Sequence, residues 1–236
     1  MGDHHCDLLV IGAGASGATV AYEAVRRGLS VALLEAGDIS GGTSCRSTKL
    51  LHGGVRYLEL AFKTLDIAQL QLVREALLER GHWLRTVPFL AHRLELVLPT
   101  RNWFEKTYYG LGLGLYDTLS GDTGLGHSRR LSRNELVQAL PQLCPRQGGV
   151  AYSDGQFDDA RLNLLLALTA EQGGATLRRG CRVIGFERNP DGRLTAAVSE
   201  TETGQQERWQ AQVIVNTTGI HADAMRHLAD PDAPPR

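Results

Sequence analysis

Gly12, Gly14 and Gly17 stand in the spacing G-x-G-x-x-G. Each glycine does something a side chain would prevent: the first permits a tight turn, the second lets a pyrophosphate reach the backbone, and the third lets a helix pack closely on a strand. The amides that open the helix, at the positive end of its dipole, then face the phosphates. The spacing is weak evidence alone, but here its context is complete. Asp7-Leu8-Leu9-Val10-Ile11, just before it, is a short apolar run expected as a buried parallel strand. Ala18 to Arg27 reads as a helix with small residues on one face, and Gly28 is placed to stop it. Ser30 to Leu34 reads as a second buried strand, and Glu35 closes it. A carboxylate there accepts hydrogen bonds from a ribose 2′-hydroxyl and repels a 2′-phosphate, which disfavours NADP. The fingerprint does not choose between NAD and FAD.

A second cluster bears on that choice. Residues 41–59 read GGTSCRSTKLLHGGVRYLE, dense in glycine, hydroxyls and cations directly after the second strand. Such a loop suits a larger cofactor, held by its phosphate arm and by a flavin ring. Around these two clusters the rest of the chain alternates elements. A helical period runs from Leu65 to Leu84, Arg93 to Leu98 reads as a strand, and Trp103 to Leu119 as an aromatic, glycine-interrupted helix. Ser132-Arg133-Asn134-Glu135 is a capping-box pattern before a short helix. Gly149 to Tyr152 reads as a strand, and Asp158 is placed to cap a helix that Gly173-Gly174 stops. Short strands follow at Thr176–Leu177, Arg182–Glu187, Leu194–Ser199 and Glu207–Gln210, with Asp191-Gly192 as a hairpin turn. Gln212 to Asn216 is one more buried strand.

The stretch from Asp7 to Glu59 resembles the start of the FAD-dependent glycerol-3-phosphate dehydrogenases. That family's pattern runs G-T-S-S-x-S-[ST]-K-L-I-H-G-G-L-R-Y-L-E, against GTSCRSTKLLHGGVRYLE here. Tyr152-Ser153-Asp154 with Asp158-Asp159-Ala160-Arg161-Leu162 is similar to its Y-x-D…D-D-A-R-L, and Val213 to Gly219 to its V-V-N-A-T-G-P-W. The resemblance implies FAD as cofactor. Gly12, Gly14 and Gly17 would hold its pyrophosphate and Glu35 the adenosine ribose. Thr43, Ser44, Ser47, Lys49 and Leu50 would line the phosphate and flavin side, with His52, Gly53 and Gly54 close to the isoalloxazine. Val183 would meet the adenine through its backbone, and Thr218 and Gly219 would close over the pyrophosphate. Arg56 and Tyr57 would face the substrate, Arg56 reading the phosphate of glycerol 3-phosphate with its forked guanidinium. No catalytic base is assigned. The chain departs from the family at Cys45-Arg46, at Thr217, and at Ile220-His221 in place of Pro-Trp, which bears on the shape of the adenosine pocket.

These readings give an α/β fold: a Rossmann-like FAD/NAD(P)-binding domain from residues 5–84 and 150–222, a mixed α+β insertion at 85–149, and a frayed tail at 223–236. The implied reaction is hydride transfer from C2 of sn-glycerol 3-phosphate to flavin N5, giving dihydroxyacetone phosphate, with electrons passed on to a quinone, or to oxygen as in an oxidase relative. The alternatives are another FAD-dependent oxidoreductase of the amine or amino-acid oxidase type, and a non-catalytic FAD-binding remnant. The family's chains are longer, so this one is expected to be an N-terminal portion or a truncated product.

Composition sets the outer bounds. Of 236 residues, 42% are hydrophobic and 22% charged, an ordinary globular balance. The net charge of −1 excludes a strongly basic nucleic-acid surface. Four cysteines without a C-x-x-C pair read as reduced thiols of a cytoplasmic protein, and the histidines lack metal-ligand spacing, so no metal is expected. No apolar run is long enough to span a bilayer, which leaves peripheral contact with the inner face of the cell membrane open to a quinone-linked enzyme.

Overall fold

A computed structural model describes residues 2–55, 57, 64, 66–142 and 147–234. In chain order the elements are β1 (Gly2–Ile11), α1 (Ala15–Arg26), β2 (Val31–Leu34), β3 (Leu50–Leu51), α2 (Ile67–Thr86), β4 (Ala91–Pro99), α3 (Trp103–Ser120), β5 (Arg129–Leu131), α4 (Arg133–Ala139), β6 (Gly149–Phe157), α5 (Asp159–Gln172), β7 (Thr176–Arg178), β8 (Cys181–Arg188), β9 (Leu194–Thr201), β10 (Gln206–Asn216) and α6 (Ala222–Ala229). They form two compact units, Met1–Ser47 with Asp159–Arg236, and Thr48–Asp158. The sequence reading puts the breaks elsewhere, at 84/85 and 149/150.

The first unit is a six-stranded sheet in the order β7-β2-β1-β10-β9-β8. β1 lies parallel to both β2 and β10, and β2 is parallel to β7, while β9 adds antiparallel to β10 and β8 antiparallel to β9. Leu8 to Ile11 and Val31 to Leu34 are buried along their whole length, as expected of central parallel strands covered on both faces. α1 buries Gly17, Ala18, Ala21 and Ala24, a stripe of small residues that lets it lie close to its neighbours. It ends in a Schellman motif: Gly28 takes φ +81°, its amide donates to Val25 O, and the Leu29 amide donates to Ala24 O. On the other face Leu9, Ile11, Leu34, Cys181, Val183 and Trp209 make the core. Where a frayed tail is expected, residues 222–229 form a helix, and Met225 packs against that core.

The second unit is an antiparallel sheet, β3-β6-β4, with β5 also paired to β6. α2 is capped by Asp66, which accepts from the Ala68 amide. Asn102 caps α3 by accepting from the Glu105 amide at 2.8 Å. The capping box at Ser132 and Glu135 forms in both directions, with bonds of 3.3 and 2.6 Å. Val73, Leu77 and Tyr116 form one core cluster here, and Leu131, Leu136 and Ala151 another.

Candidate functional site

The crossing of β1 into α1 is built around backbone contacts that exclude side chains. Gly12 has φ +100°, and a Cβ there would lie 2.8 Å from Thr217 O. A Cβ on Gly17 would lie 1.8 Å from Gly12 O and 2.6 Å from Thr217 Oγ1. Thr217, one of the departures from the resembling family, belongs to this closure. Its amide donates to Ile11 O, and its hydroxyl lies within 2.8 and 2.9 Å of the Ile11 and Gly12 carbonyls.

The loop after β2 comes back over the start of α1. Ser44 Oγ accepts the Ala15 amide at 2.9 Å, and a Cβ on Gly14 would meet that same oxygen at 3.0 Å. One helix-end donor is therefore capped by a hydroxyl, and the Ala18 amide is used by Gly14 O. The Ser16 and Gly17 amides have no carbonyl a turn earlier to accept them.

Glu35 is anchored at both oxygens: Oε2 accepts the Ala13 amide at 2.7 Å, and Oε1 accepts the Gly37 amide at 2.9 Å. A carboxylate offers about four lone-pair positions, so roughly two remain. Ser40, unremarked in the sequence, has φ +64°, a buried hydroxyl with no partner, and an amide donated to Ala13 O. Asn163, buried on α5, donates to the same carbonyl at 2.9 Å.

Gly12, Gly14, Glu35, Ser40, Ser44 and Thr217 wall a cavity of about 360 Å³ at the carboxyl ends of β1, β2 and β10, whereas Gly17 and Asn163 stand behind that wall. Such a crevice is where open α/β sheets bind nucleotides. Gly12, Gly14 and Glu35 line it, as do Thr43 and Ser44 from the loop, and Val183, Thr218 and Gly219 from the far strands. Glycines whose Cβ would close the cradle, a carboxylate with spare acceptor positions, helix-end amides and an orphaned buried hydroxyl fit a dinucleotide.

Ser47 stands apart from this wall: its amide and hydroxyl both donate to Asp159 Oδ2, at 3.2 and 2.7 Å. Arg46 folds back onto the carbonyls of Gly41 and Gly42. Lys49, Leu50, His52, Gly53, Gly54 and Tyr57 belong to the second unit. There Lys49 takes φ +58°, Leu50 pairs with Gln156, and His52 Nδ1 accepts the Gly54 amide at 3.2 Å. Tyr57 is 46% exposed. Arg56 lies outside the described residues.

The second unit also holds a group of residues that sequence reading missed. Arg80 Nη1 donates to Asp154 Oδ1 at 2.9 Å, both side chains being 2% exposed. Tyr116 Oη donates to the same carboxylate, 3.2 Å from Oδ2, and accepts the Gly53 amide at 2.7 Å. Burial pushes the Tyr116 phenol well above its ordinary range, helped by the Asp154 charge. Burial also raises the Asp154 carboxyl, against the pull of Arg80. Asp154 lay in a stretch singled out by resemblance; Arg80 and Tyr116 carried no signal of their own. Among the described residues no three His, Cys, Asp or Glu side chains gather as a metal site.

Comparison with known proteins extends this geometry. The mitochondrial glycerol-3-phosphate dehydrogenase of Homo sapiens is 41% identical over 235 residues, which cover 96% of this chain and 32% of that protein. The mitochondrial enzyme of Arabidopsis thaliana is 42% identical over 237 residues, covering 97% and 38%. The chain thus spans about a third of the length of the curated relatives it matches. Among solved structures, the glycerol-3-phosphate dehydrogenase of Bacillus halodurans complexed with FAD superposes with a TM-score of 0.69 at 25% identity, over 96% of this chain and 36% of that one. The L-alpha-glycerophosphate oxidase of Mycoplasma pneumoniae, with FAD bound, has a TM-score of 0.70 at 19% identity, over 95% and 57%, a likeness of fold. The family described as DAO, FAD dependent oxidoreductase, matches residues 7–236, so that almost the whole chain, and not the glycine turn alone, belongs to the FAD dependent oxidoreductases.

Proposed function

We propose that this chain forms the FAD-holding part of a dehydrogenase that oxidises sn-glycerol 3-phosphate to dihydroxyacetone phosphate. The observation that carries the reading is the single cavity shared by the glycine turn, Glu35 and the hydroxyl-bearing loop at Thr43 and Ser44. In this reading Gly12 and Gly14, which line the cavity, let the pyrophosphate approach the start of α1, and the Ser16 and Gly17 amides donate to it. Ser44 acts as a relay: its oxygen accepts the Ala15 amide, and its proton is left to donate to a phosphate oxygen. Glu35 accepts from the ribose hydroxyls, the Val183 backbone meets the adenine, and Thr218 and Gly219 close the pyrophosphate side. Thr43, Lys49 and Leu50 serve the phosphate arm and flavin edge, and His52, Gly53 and Gly54 the ring, while Ser47, whose amide and hydroxyl both donate to Asp159, anchors the end of the Thr43–Ser44 loop. When bound, FAD supplies the two-electron acceptor for hydride from C2 of the alcohol. Arg56 binds the substrate phosphate and Tyr57 the substrate.

The electron acceptor in this reading is a quinone, reached by peripheral contact with the inner face of the cell membrane. Trp103, Phe104 and Leu111 on α3 support it, being 73%, 66% and 68% exposed beside Arg101. No helix among the described residues is long and apolar enough to cross a membrane. The test is anaerobic: protein carrying FAD is mixed with glycerol 3-phosphate, and the flavin absorbance is expected to bleach. Bleaching by amino acids alone would move the substrate to the amine class. A chain that does not quench flavin fluorescence on titration with FAD would overturn the cofactor site itself.

A further inference from the structure

Gly53 and Gly54 have reasons for being glycine inside their own unit. A Cβ on Gly53 would lie 2.2 Å from Leu77 Cδ2 and 2.5 Å from Tyr116 Oη, and Gly54 takes φ +78°. The turn is pressed against α2 and α3, and one polar group receives it there. That group is the Tyr116 hydroxyl, which accepts the Gly53 amide at 2.7 Å.

The hydroxyl has a single proton, and Asp154 takes it. Asp154 is in turn fixed by Arg80, whose Nη2 donates onward to Ser120 Oγ at 3.3 Å. The Arg80 guanidinium carbon also sits 5.6 Å from the centroid of the Tyr116 ring. Burying such a charge pair is expensive, and apolar side chains of the same volume would hold the fold as well or better. What the pair gives that apolar residues cannot is direction. With its proton committed to the carboxylate, the phenol presents only lone pairs to the turn. The Gly54 amide, held by His52 Nδ1, ties the imidazole to the same turn and leaves the neutral ring protonated at Nε2.

We propose that Tyr116 is the positioning residue of the His52–Gly54 turn, its hydroxyl oriented by the buried Asp154–Arg80 pair so that the Gly53 amide is held in one place. The proposal rests on the reading of this turn as the part that meets the flavin ring. Through Gly53 the pair fixes where the turn's backbone and the His52 ring point.

Tyr116→Phe tests it, because the ring volume is kept and the acceptor is lost. In the FAD-free chain, hydrogen exchange at the Gly53 amide is expected to quicken about tenfold. In the FAD-loaded protein, the long-wavelength flavin absorption band is expected to shift. Leu136→Ala, which weakens the other core cluster of the same unit, should leave both readouts alone. Asp154→Asn keeps the shape but removes the charge that orients the phenol, and should give a smaller change in both. Unchanged exchange in Tyr116→Phe and Asp154→Asn overturns the positioning role. Faster exchange with an unmoved flavin band overturns the flavin-facing reading, and the proposal falls with it.

Discussion

Replacing Glu35 separates two functions that this carboxylate combines. Its oxygens accept the Ala13 and Gly37 amides at 2.7 and 2.9 Å, so it ties the glycine turn to the start of the next loop before any nucleotide is bound. Glu35→Ala removes both acceptors. Glu35→Gln is nearly isosteric, but one end becomes an NH₂ group that must face a backbone N–H, donor against donor. Hydrogen bonds to a charged group contribute about 1.5–3 kcal/mol each, and a partner left unsatisfied costs about 1–3 kcal/mol. Glu35 is half-buried, so the lower end applies: about 1–2 kcal/mol for Gln and ~2–3 kcal/mol for Ala. For a chain of this size that corresponds to roughly 2–8 °C of melting temperature for Gln. The assay is thermal unfolding of the FAD-free protein, with FAD titration of each variant beside it. Both variants should melt lower without ligand and bind FAD more weakly. If Glu35→Gln melts with the parent chain while losing FAD affinity, the carboxylate serves the ribose alone and the tie to the turn has been overvalued.

Three further outcomes follow from the same coordinates. Gly17→Ala puts a Cβ 1.8 Å from Gly12 O and should cost about 3 kcal/mol or more in chemical unfolding, whereas Gly42→Ala, which meets nothing within 4 Å, should unfold with the parent. Asp154→Ala leaves Arg80 buried and charged and should cost about 3–5 kcal/mol by the same assay, while Asp154→Leu combined with Arg80→Met should recover most of that loss; equal losses would contradict the charge argument. Burial raises the Cys181 thiol, whose S–H donates to Ser199 Oγ, so little thiolate forms near neutral pH. Alkylation mapped by mass spectrometry should therefore stay slow at Cys181 up to about pH 8.5 in the folded chain and become fast on unfolding.

The dinucleotide fingerprint was legible because its determinants are local: two apolar strands, three glycines and an acid within one short stretch. The capping box at Ser132 and Glu135 was legible for the same reason. β10 was harder. Glu207–Gln210 and Gln212–Asn216 read as two strands, because Gln210 and Gln212 interrupt the apolar pattern. They are one strand whose surroundings change along it: Glu207 to Gln210 pair with β9 as well as β1, while Val213 to Asn216 pair with β1. α3 remains continuous through Gly110, Gly112 and Gly114, where breaks were expected, because Asn102 caps it and Leu113 and Tyr116 are buried. Arg80 illustrates the opposite limit. A lone arginine in a helical stretch reads as surface, and its partner Asp154 lies 74 positions away.

Glycine spacing looks the same in a sequence whether the missing side chains make room for a ligand or for the protein itself, and this chain contains both cases. At Gly12 and Gly14 the excluded Cβ positions border the cavity, with Thr217 O and Ser44 Oγ as its nearest walls. At Gly53 the excluded position is filled by Leu77 and Tyr116. A His-Gly-Gly signature is therefore not in itself a record of ligand contact. Its glycines let the turn sink onto α2 and α3, where a phenol oriented by a buried ion pair can hold it. At Gly53 a Cβ would stand 2.5 Å from that hydroxyl and 2.2 Å from Leu77, so this seat takes only glycine. The flavin-facing reading of this turn accordingly depends on His52 and the backbone that Tyr116 holds, and it is at those atoms, not at the glycine Cα positions, that contact with a cofactor has to be sought.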